Sequence, residues 1–179
     1  MPSSEPVSRA ARFVVRDFTE SDADAVNATA VAAFSDFKDT IDDWPKMERA
    51  VSQMSALTSV AELIVAAVDG VVAGAVGYGG PGKPKQEWFD PAWPVVRMLV
   101  VHPQYRGLGI GRALTEECVR RARRDGAPLI ALHTATIMTT ALDMYLRMGF
   151  ELYREEPPRF GVQYAVYLKK LDQPLAGAT

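Results

Sequence analysis

A glycine-rich segment carries the residues best suited to bind phosphate. From Gln104 to Gly111 the chain reads Gln-Tyr-Arg-Gly-Leu-Gly-Ile-Gly, after a hydrophobic run at 95–101 and before a long amphipathic segment. A strand that enters a glycine turn at a helix N-terminus presents free backbone N–H groups and the positive end of the helix dipole. Glycine permits close approach and a positive φ there. The segment therefore predicts a phosphate-binding turn rather than a plain helix start.

The spacing of the glycines excludes two other phosphate-binding loops. A P-loop requires Lys and then Ser or Thr after its last glycine, whereas Gly111 is followed by Arg112 and Ala113. A dinucleotide-binding fingerprint requires Gly-x-Gly-x-x-Gly, and the gap between Gly109 and Gly111 is one residue too short.

Length and composition indicate one globular domain with its own hydrophobic core. The chain has 179 residues, 48% of them hydrophobic and 23% charged, and its formal net charge is −2. The single cysteine, Cys118, excludes an internal disulfide framework and a cysteine-based zinc site. No apolar run approaches the roughly 20 residues of a membrane span, and the N-terminal residues lack the features of a secretory signal. We therefore expect a cytoplasmic protein that does not bind a membrane.

Charge is unevenly divided along the chain. Residues 1–70 carry 6 basic and 12 acidic side chains, whereas residues 71–179 carry 14 basic and 10 acidic ones. The glycine turn lies in the basic half, which suits a polyanionic ligand. Four arginines also cluster at 120–124. Because no aromatic residues are interleaved with them, they predict a solvated helix face rather than a nucleic-acid site.

Hydrophobic periodicity and turn residues predict alternating strands and helices. The expected strands are 12–18, 61–68, 71–78, 95–101, 129–133, one that begins at Phe150, and 163–171. The expected helices are 22–35, 45–57, 109–125 and 139–148. Asp69-Gly70 is typical of a two-residue hairpin turn, and 79–94 is a long loop of the kind that forms lids or binding segments. We expect one domain over 12–171, a flexible N-terminal tail at 1–11 and a C-terminal tail at 172–179.

Apolar residues at helical spacing predict the buried face of each of the first three helices. The predicted buried residues are Ala25, Ala28, Val31, Ala32 and Phe34 in the first helix, Met47, Val51 and Met54 in the second, and Ile110, Leu114, Cys118 and Ala122 in the third. Cys118 is thus expected to be an inert core thiol rather than a nucleophile.

The glycine turn and a later segment resemble two motifs of one family. Gln-x-x-Gly-x-Gly, preceded by Leu-Val-Val-His-Pro, is similar to the coenzyme A pyrophosphate loop of the Gcn5-related N-acetyltransferase (GNAT) family. The family often shows Asn-x-x-Ala-x-x-x-Tyr-x-x-x-Gly-Phe, and this chain has Ala141, Tyr145, Gly149 and Phe150 in register. It departs from the pattern at Met138, which stands in the place of the asparagine.

The resemblance implies an α/β fold in which helices flank a mixed, mostly antiparallel sheet. It also implies acetyl-coenzyme A as cosubstrate and no metal. The strand residues Leu99, Val100 and Val101 would offer backbone groups to the pantetheine arm. The pyrophosphate would be wrapped by Arg106, Gly107, Leu108, Gly109, Ile110, Gly111 and Arg112. A hydroxyl of Thr139 or Thr140 would supply a contact near the missing asparagine.

The resemblance further implies that Tyr145 is the general acid that protonates the departing thiolate. A coenzyme thiol and a tyrosine have reference pKa values of roughly 8.5 and 10, which is close enough for useful proton transfer. A backbone N–H of the preceding strand, that of Val101, is expected to polarise the thioester oxygen. Transfer is then direct, with no covalent intermediate. The alternative for Tyr145 is a core residue with its hydroxyl at the surface.

The group that takes the proton from the attacking amine is left open. Candidates are Glu87 and Asp90 in the long loop, Asp42 or Asp43 before the second helix, His133 at the end of its strand, and a chain of waters. His133 differs from the carboxylates because its strand is expected to lie beside the strand at 95–101, which would hold the cofactor. His102, before Pro103, is expected only to shape the turn.

The acceptor, a small-molecule or peptide amine, is also left open. The acidic residues Asp36, Asp39, Asp42 and Asp43 fall where the family builds its acceptor wall, and Trp88, Phe89 and Trp93 would add an aromatic rim. Both features would suit a cationic amine; an exposed acidic surface and a packed loop are the alternative. A non-catalytic acyl-coenzyme A sensor or interaction module and a longer acyl donor are the competing functions. Oligomeric state is open, with a homodimer as one option.

Overall fold

The computed structural model describes residues 12–172, so the predicted tail at 1–11, and the predicted tail at 172–179 except for its first residue, lie outside the described residues. The strands are β1 (Phe13–Asp17), β2 (Glu62–Val68), β3 (Val71–Gly79), β4 (Val95–Val101), β5 (Leu129–Ala135), β6 (Glu151–Arg159) and β7 (Val162–Lys170). The helices are α1 (Ala23–Phe34), α2 (Trp44–Val51), α3 (Ile110–Arg124) and α4 (Thr139–Arg147). Short 3₁₀ turns at 20–22, 35–37, 54–59 and 103–105 connect them.

All seven strands belong to one open sheet, in the order β1-β2-β3-β4-β5-β7-β6. Neighbouring strands are antiparallel except for β4 and β5, which are parallel. The α3 crossover between β4 and β5 is the connection that parallel neighbours require. The predicted mixed, mostly antiparallel sheet flanked by helices is confirmed.

The parallel pair of strands is joined over a short length and then opens. β4 and β5 pair at Val95↔Ala131 and Val96↔Leu132, while β4 continues along β3 to Val101. The register between β3 and β4 shifts beside Met98, whose φ is 51°, at the point where β4 leaves β5. We call the gap between the separated strands the fork. Backbone groups of β4 that face the fork are available to a ligand.

The two faces of the sheet are covered by different helices. On one face, α3 and α4 pack in a core that contains the predicted stripe Ile110, Leu114, Cys118 and Ala122, each at most 1% exposed. On the other face, α1 and α2 pack in a second core with Val65, Val72 and Val100. A third, smaller cluster lies under the loop 80–94 and joins Phe89 to Val95 and Val166.

The predicted stripe of α1 was wrong in phase. Val26, Thr29, Ala30 and Ala33 are the buried residues, whereas Ala25 and Ala28 are exposed. The helix has alanines on several faces, so its apolar pattern does not select one of them. Packing on β3 and β4 selects the face that carries Val26.

Two predicted boundaries were also wrong. α2 ends at Val51 instead of near residue 57, because the Ser52 hydroxyl donates to the Arg49 carbonyl at 2.8 Å and the chain turns into a 3₁₀ segment. Met54 is buried in that segment nonetheless. β5 continues to Ala135 rather than ending at His133. The extension lets β5 pair with β7 past the fork.

The arginine cluster of α3 is largely neutralised inside the protein. Arg121 is 7% exposed and contacts Asp17, Glu62 and Glu117. Arg124 is paired with Glu62 and Asp125, and Arg120 with Glu117. The prediction of a fully solvated face was therefore wrong at Arg121. These arginines tie α3 to β1 and β2.

Candidate functional site

A cavity of about 590 Å³ opens at the fork. Its wall combines the end of β4, the glycine turn, the first turns of α3 and α4, and the C-terminal end of α1 with the 3₁₀ turn that follows it. A cavity of this size is typical of small-molecule sites. The structure thus joins the two sequence motifs, which lie on different elements, around one space.

The glycine turn forms the floor of this cavity as a ready anion site. His102 Nδ1 accepts a hydrogen bond from the Gln104 N–H at 3.2 Å and shapes the entry to the turn, as predicted. Gly107 and Gly109 have φ of 81° and 85°, and α3 begins immediately afterwards at Ile110. A Cβ at either glycine would meet no atom within 4 Å, so glycine is required for its conformation and not for lack of room. The first N–H groups of α3 have no partner inside the helix and point at the cavity floor.

Three arginines line the cavity beside these N–H groups. Arg106 reaches from the turn to the end of α1, where it pairs with the carboxylate of Asp36 and donates to the Ala33 carbonyl at 3.4 Å. Arg112 pairs with Glu116 one turn along α3, at 2.8 Å. Arg147, in the last turn of α4, was not predicted, although it lies two helical turns from Thr140 on the same side of the helix. The cationic rim suits a ligand with several phosphate charges.

The end of β4 offers backbone N–H groups to the fork. The His102 N–H donates to the Ala73 carbonyl of the β3 side at 2.8 Å. Successive N–H groups of a strand point to opposite edges, so the Val101 N–H points away from β3 and toward the fork. Leu99, Val100 and Val101 all line the cavity, as expected for residues beside a pantetheine arm.

The first turn of α4 closes the other side of the cavity. Met138, Thr139, Thr140, Ala141 and Met144 line it. Thr139 and Thr140 are exposed there, and Met138 caps the helix without a side-chain hydrogen bond to it. The predicted hydroxyls therefore lie next to the position of the missing asparagine.

Two predicted site residues lie behind the cavity wall. The side chain of Leu108 packs against the first core instead of lining the cavity. Tyr145 is 5% exposed and packs edge-on against Phe150, with ring centroids 5.7 Å apart. Tyr145 does not line the cavity, but it lies one helical turn from Ala141, which does line it. Burial, followed by the nearby Cys118 thiol, raises the pKa of Tyr145 above its usual value, so the phenol stays protonated at neutral pH.

The candidate general bases are absent from the described wall of the cavity. Glu87 and Asp90 are exposed in the long loop, where Asp90 Oδ1 accepts from the Ala92 N–H at 2.8 Å. His133 lies on β5 just past its last pair with β4, on the sheet face opposite to α3. Its ring is stacked between Trp88 and Tyr164.

Three of the four acidic residues at 36–43 have structural partners. Asp36 pairs with Arg106. The Asp42 N–H donates to the Phe160 carbonyl at 2.9 Å, which joins this segment to the β6–β7 turn. Asp43 adopts a φ of 55° and caps α2 by accepting from the Lys46 N–H. The pairing of Asp36 places it beside the glycine turn.

Cys118 is fully buried, and burial raises the pKa of its thiol. It lies in the first core and does not line the cavity. Within residues 12–172 there is no group of three or more His, Cys, Asp or Glu side chains placed to hold a metal ion. No helix in that range is both long and apolar enough to cross a membrane.

Comparison with known sequences points to one family. Residues 28–150 match the sequence model of the Acetyltransferase (GNAT) family. The chain is 34% identical over 92 residues to the Probable N-acetyltransferase camello of Xenopus tropicalis, a match that covers 51% of this chain and 39% of that protein. It is 32% identical over 119 residues to Probable N-acetyltransferase family 8 member 5 of Mus musculus, covering 64% of this chain and 49% of that protein. The chain thus spans about half the length of these relatives or less.

Solved structures share the fold over nearly the whole chain. A GCN5-related N-acetyltransferase from Rhodopseudomonas palustris superimposes with a TM-score of 0.70 at 19% identity, covering 88% of this chain and 95% of that one. The yncA protein of Salmonella typhimurium, solved with its cofactor acetyl-CoA, has a TM-score of 0.64 at 20% identity, covering 93% and 99%. At these identities the similarity concerns the fold.

Proposed function

The chain belongs to the acetyltransferase (GNAT) family, and we propose that it transfers an acetyl group from acetyl-coenzyme A to a primary amine by direct attack in a ternary complex. The observation that carries the proposal is the cavity at the fork, which has an anion site at one end and free strand N–H groups along its wall. A long, polyanionic thioester fits both features. The named relatives are N-acetyltransferases, which supports the same reaction class.

The cofactor would be held by residues that line the cavity. The first N–H groups of α3 and the side chains of Arg106 and Arg112 would bind the pyrophosphate. The strand groups of Leu99 to Val101 would bind the pantetheine arm, and Thr139 would add a hydroxyl contact. This arrangement runs the cofactor along β4 into the fork, so that its thioester end approaches the region where β4 and β5 begin to separate.

The chemistry would be divided between a backbone donor and a side-chain acid. A backbone N–H of β4 that faces the fork would stabilise negative charge on the thioester oxygen. Val101, the donor expected from the sequence, is the last residue of β4 and lies next to the glycine turn. Tyr145 would protonate the departing thiolate; its phenol holds its proton at neutral pH, as the transfer requires, while its raised pKa makes that proton harder to give up. Much of the rate acceleration would come from holding donor and amine together.

The proposal also covers the acceptor, the partners and the location of the protein. The acceptor is a small-molecule or peptide amine, and neither nucleic acid nor a membrane is a proposed partner. A cytoplasmic location is supported by the single, buried cysteine, which is typical of proteins from reducing compartments.

Two measurements test the proposal. Calorimetry should show binding of acetyl-coenzyme A, and a thiol-release assay should show turnover with at least one amine from a panel of amino acids, peptides, polyamines and aminoglycosides. Absence of binding would overturn the proposal. Binding without release across the panel would favour the non-catalytic acyl-coenzyme A sensor.

A further inference from the structure

Among the described residues, buried polar atoms without a partner occur in the loop 80–94 and in the strand on which it stacks. Within residues 12–172, three buried side-chain atoms have no hydrogen-bond partner, namely Gln86 Oε1, Trp88 Nε1 and His133 Nε2. Gln86 and Trp88 belong to the loop 80–94, and Trp88 stacks on His133. Buried polar groups are nearly always paired in folded proteins, so three such atoms, two of them on rings that stack on each other, need an explanation. Local violations of this kind are expected where a site has been built.

The rings around these atoms are held in a stack. The guanidinium carbon of Arg159 lies 4.0 Å from the Trp88 ring centroid. The Trp88 and His133 centroids are 4.5 Å apart, and those of His133 and Tyr164 are 4.7 Å apart. Phe89 meets His133 edge-on. The stack fixes the orientation of the two unpaired ring nitrogens.

This stack lies at the start of the fork, on the acceptor side of the proposed reaction. Leu132 is the last β5 residue paired with β4, and it faces the core under α3. His133 follows it and therefore points to the opposite face of the sheet. The phosphate site lies on the α3 side, so an amine that meets the thioester from the other side would arrive next to His133.

The loop above the stack is braced as a unit. Lys85 Nζ donates to the carbonyls of Gly80, Lys83 and Pro91, and the Gly82 N–H donates to the Pro91 carbonyl. Gly82 has a φ of 75° near the start of the loop. The loop is also held from outside, by the Arg154 bond to the Trp88 carbonyl and by Phe89 in the third cluster, so lifting it from β5 breaks those contacts while the bonds of Lys85 remain.

The three atoms define the hydrogen-bonding groups of a ligand. Trp88 Nε1–H can only donate, and Gln86 Oε1 can only accept. Burial, together with the charge of Arg159, lowers the pKa of His133 to about 4, while Glu156 acts in the opposite direction. The imidazole is therefore neutral at pH 7 and has one nitrogen that accepts. The complementary ligand has N–H donors beside an oxygen acceptor.

The charges around the stack favour an anionic or carbonyl oxygen. Arg159 covers Trp88, and Arg154 donates to the Trp88 carbonyl at 3.0 Å. Glu156 is already paired with Arg154 at 2.6 Å. The two arginines and one glutamate leave a net positive charge. The site is thus better suited to an amine that carries a neighbouring carboxylate than to a polyamine.

On the basis of the acetyltransferase function proposed above, we propose that Gln86, Trp88 and His133 form the acceptor-recognition site. Its ligand is an amine whose adjacent carbon bears a carboxylate or an amide carbonyl, as in an α-amino acid or the N-terminus of a peptide. With His133 in the tautomer that carries its proton on Nδ1, the amine N–H groups bind Gln86 Oε1 and His133 Nε2, and the oxygen binds Trp88 Nε1. The loop 80–94 lifts to admit the ligand and closes over it.

The test compares acceptors with and without the carboxylate, and kcat/KM is expressed per neutral amine because the carboxylate also lowers the pKa of the amine. For pairs of an amino acid and its decarboxylated amine, such as leucine and isopentylamine, kcat/KM is measured for the wild-type protein. Amino-acid amides and tripeptides form two further arms that separate the free amino acid from a peptide N-terminus. The expected result is a preference of about tenfold or more for the carbonyl-bearing partner, since each such contact contributes a severalfold effect.

Three variants test whether the preference for carbonyl-bearing amines depends on Gln86, Trp88 and His133. Trp88→Phe and His133→Phe keep a ring in the stack and remove the nitrogens, and Gln86→Met removes the amide at nearly constant length. Each should reduce the preference by about fivefold to tenfold, with unchanged affinity for acetyl-coenzyme A in calorimetry. Trp93→Phe is the matched control, because Trp93 lies in the same loop and packs on Tyr153 instead. It should leave the preference intact.

The outcomes separate this site from the proposed reaction. If decarboxylated amines are acetylated as well as their partners, or if all three variants keep the wild-type preference, the acceptor site is wrong while the transferase remains. In that case the three atoms are satisfied by buried water only. If no amine is acetylated at all, the proposed reaction fails, and the acceptor site with it.

Discussion

Arg106 and Asp36 are paired across the mouth of the cavity, with the arginine on the glycine turn and the aspartate just beyond α1. The two residues are 70 positions apart in the chain. The pair links the phosphate site on one side of the cavity to the helix that covers the other side. A bound pyrophosphate would compete with Asp36 for the same guanidinium.

This competition predicts that Asp36→Asn strengthens binding of acetyl-coenzyme A. Exposed ion pairs are worth about 0–1 kcal/mol, so we expect an affinity gain of up to about fivefold in calorimetry. Glu116→Gln is the matched control, because Glu116 pairs with Arg112 at the same site but does not bridge the cavity. Equal gains in both variants would indicate a general charge effect. Weaker binding in Asp36→Asn would mean that Asp36 positions Arg106 for the cofactor.

A negative side chain in the glycine turn should abolish tight cofactor binding. Gly109→Asp places a carboxylate where the free N–H groups of α3 converge, and we expect a loss of affinity of at least about tenfold. Gly70→Asp is the control, since Gly70 also has a positive φ and open space around it but lies in the distant β2–β3 turn. The two substitutions introduce the same residue and similar strain. Equal cofactor affinity in both folded variants would rule out the turn as the phosphate site.

The sequence correctly predicted the elements whose conformation is set by residues close together in the chain. The turn Asp69-Gly70 has φ of 49° and 79°, as its two residue types favour, and the third helix buries the stripe that its spacing predicted. The alanine-rich α1 was predicted in the wrong phase, because only contact with the sheet distinguishes its faces. The Arg106–Asp36 pair and the stack of Trp88 on His133 join distant segments, and no spacing in the sequence indicates such contacts.

The candidate site likewise contains one part formed by a continuous segment and one part formed by distant segments. The glycine turn at the helix start is a continuous segment, so its residue types and spacing predicted its conformation. The proposed acceptor site is assembled from a loop and a strand that lie far apart in the chain. His133 was predicted as one of several proton acceptors, but its stacking and its unpaired nitrogen appear only in three dimensions.

Stability should depend on pH through Asp22. Its carboxylate accepts from Arg16 at 2.7 and 2.9 Å and from the Thr19 N–H, and the hydrogen bond with Arg16 is the main cause that lowers its pKa to about 2. A lowered pKa stabilises the fold above the unfolded-state pKa of roughly 3.9, and this contribution is lost as pH falls toward 2. Asp22→Asn should therefore lower the free energy of unfolding by about 2 kcal/mol at pH 7.

The measurement is denaturant unfolding of the wild type and the variant between pH 7 and pH 2. The difference between them should shrink below about pH 4. Asp24→Asn, in the first turn of α1 and exposed, serves as control and should change stability by less than about 0.5 kcal/mol. A difference between wild type and Asp22→Asn that is constant with pH would contradict the role of the charge.

Cys118→Ala should leave activity intact and reduce stability. The thiol is buried among Ile110, Leu114 and Ala122, and its raised pKa keeps it protonated. Removing a small buried group should cost about 1 kcal/mol in denaturant unfolding. Two-substrate kinetics should give intersecting lines, as a ternary complex requires. Parallel lines or a trapped acetyl-enzyme in the wild type would contradict direct transfer.

Tyr145→Phe should slow the chemical step while preserving cofactor binding. The substitution removes only the hydroxyl, so the edge-on packing against Phe150 is kept. General acid–base steps contribute roughly 10²–10⁴-fold, and we expect kcat to fall within that range while the calorimetric affinity for acetyl-coenzyme A changes little. Tyr153→Phe, on the exposed strand β6, removes a phenol outside the cavity lining and should have wild-type kcat.

Because Tyr145 lies behind the cavity wall, its hydroxyl must reach the thiolate past Ala141 and Met144. Wild-type turnover in Tyr145→Phe, measured where chemistry limits the rate, would show that this reach is not made and that Tyr145 serves the core between α3 and α4.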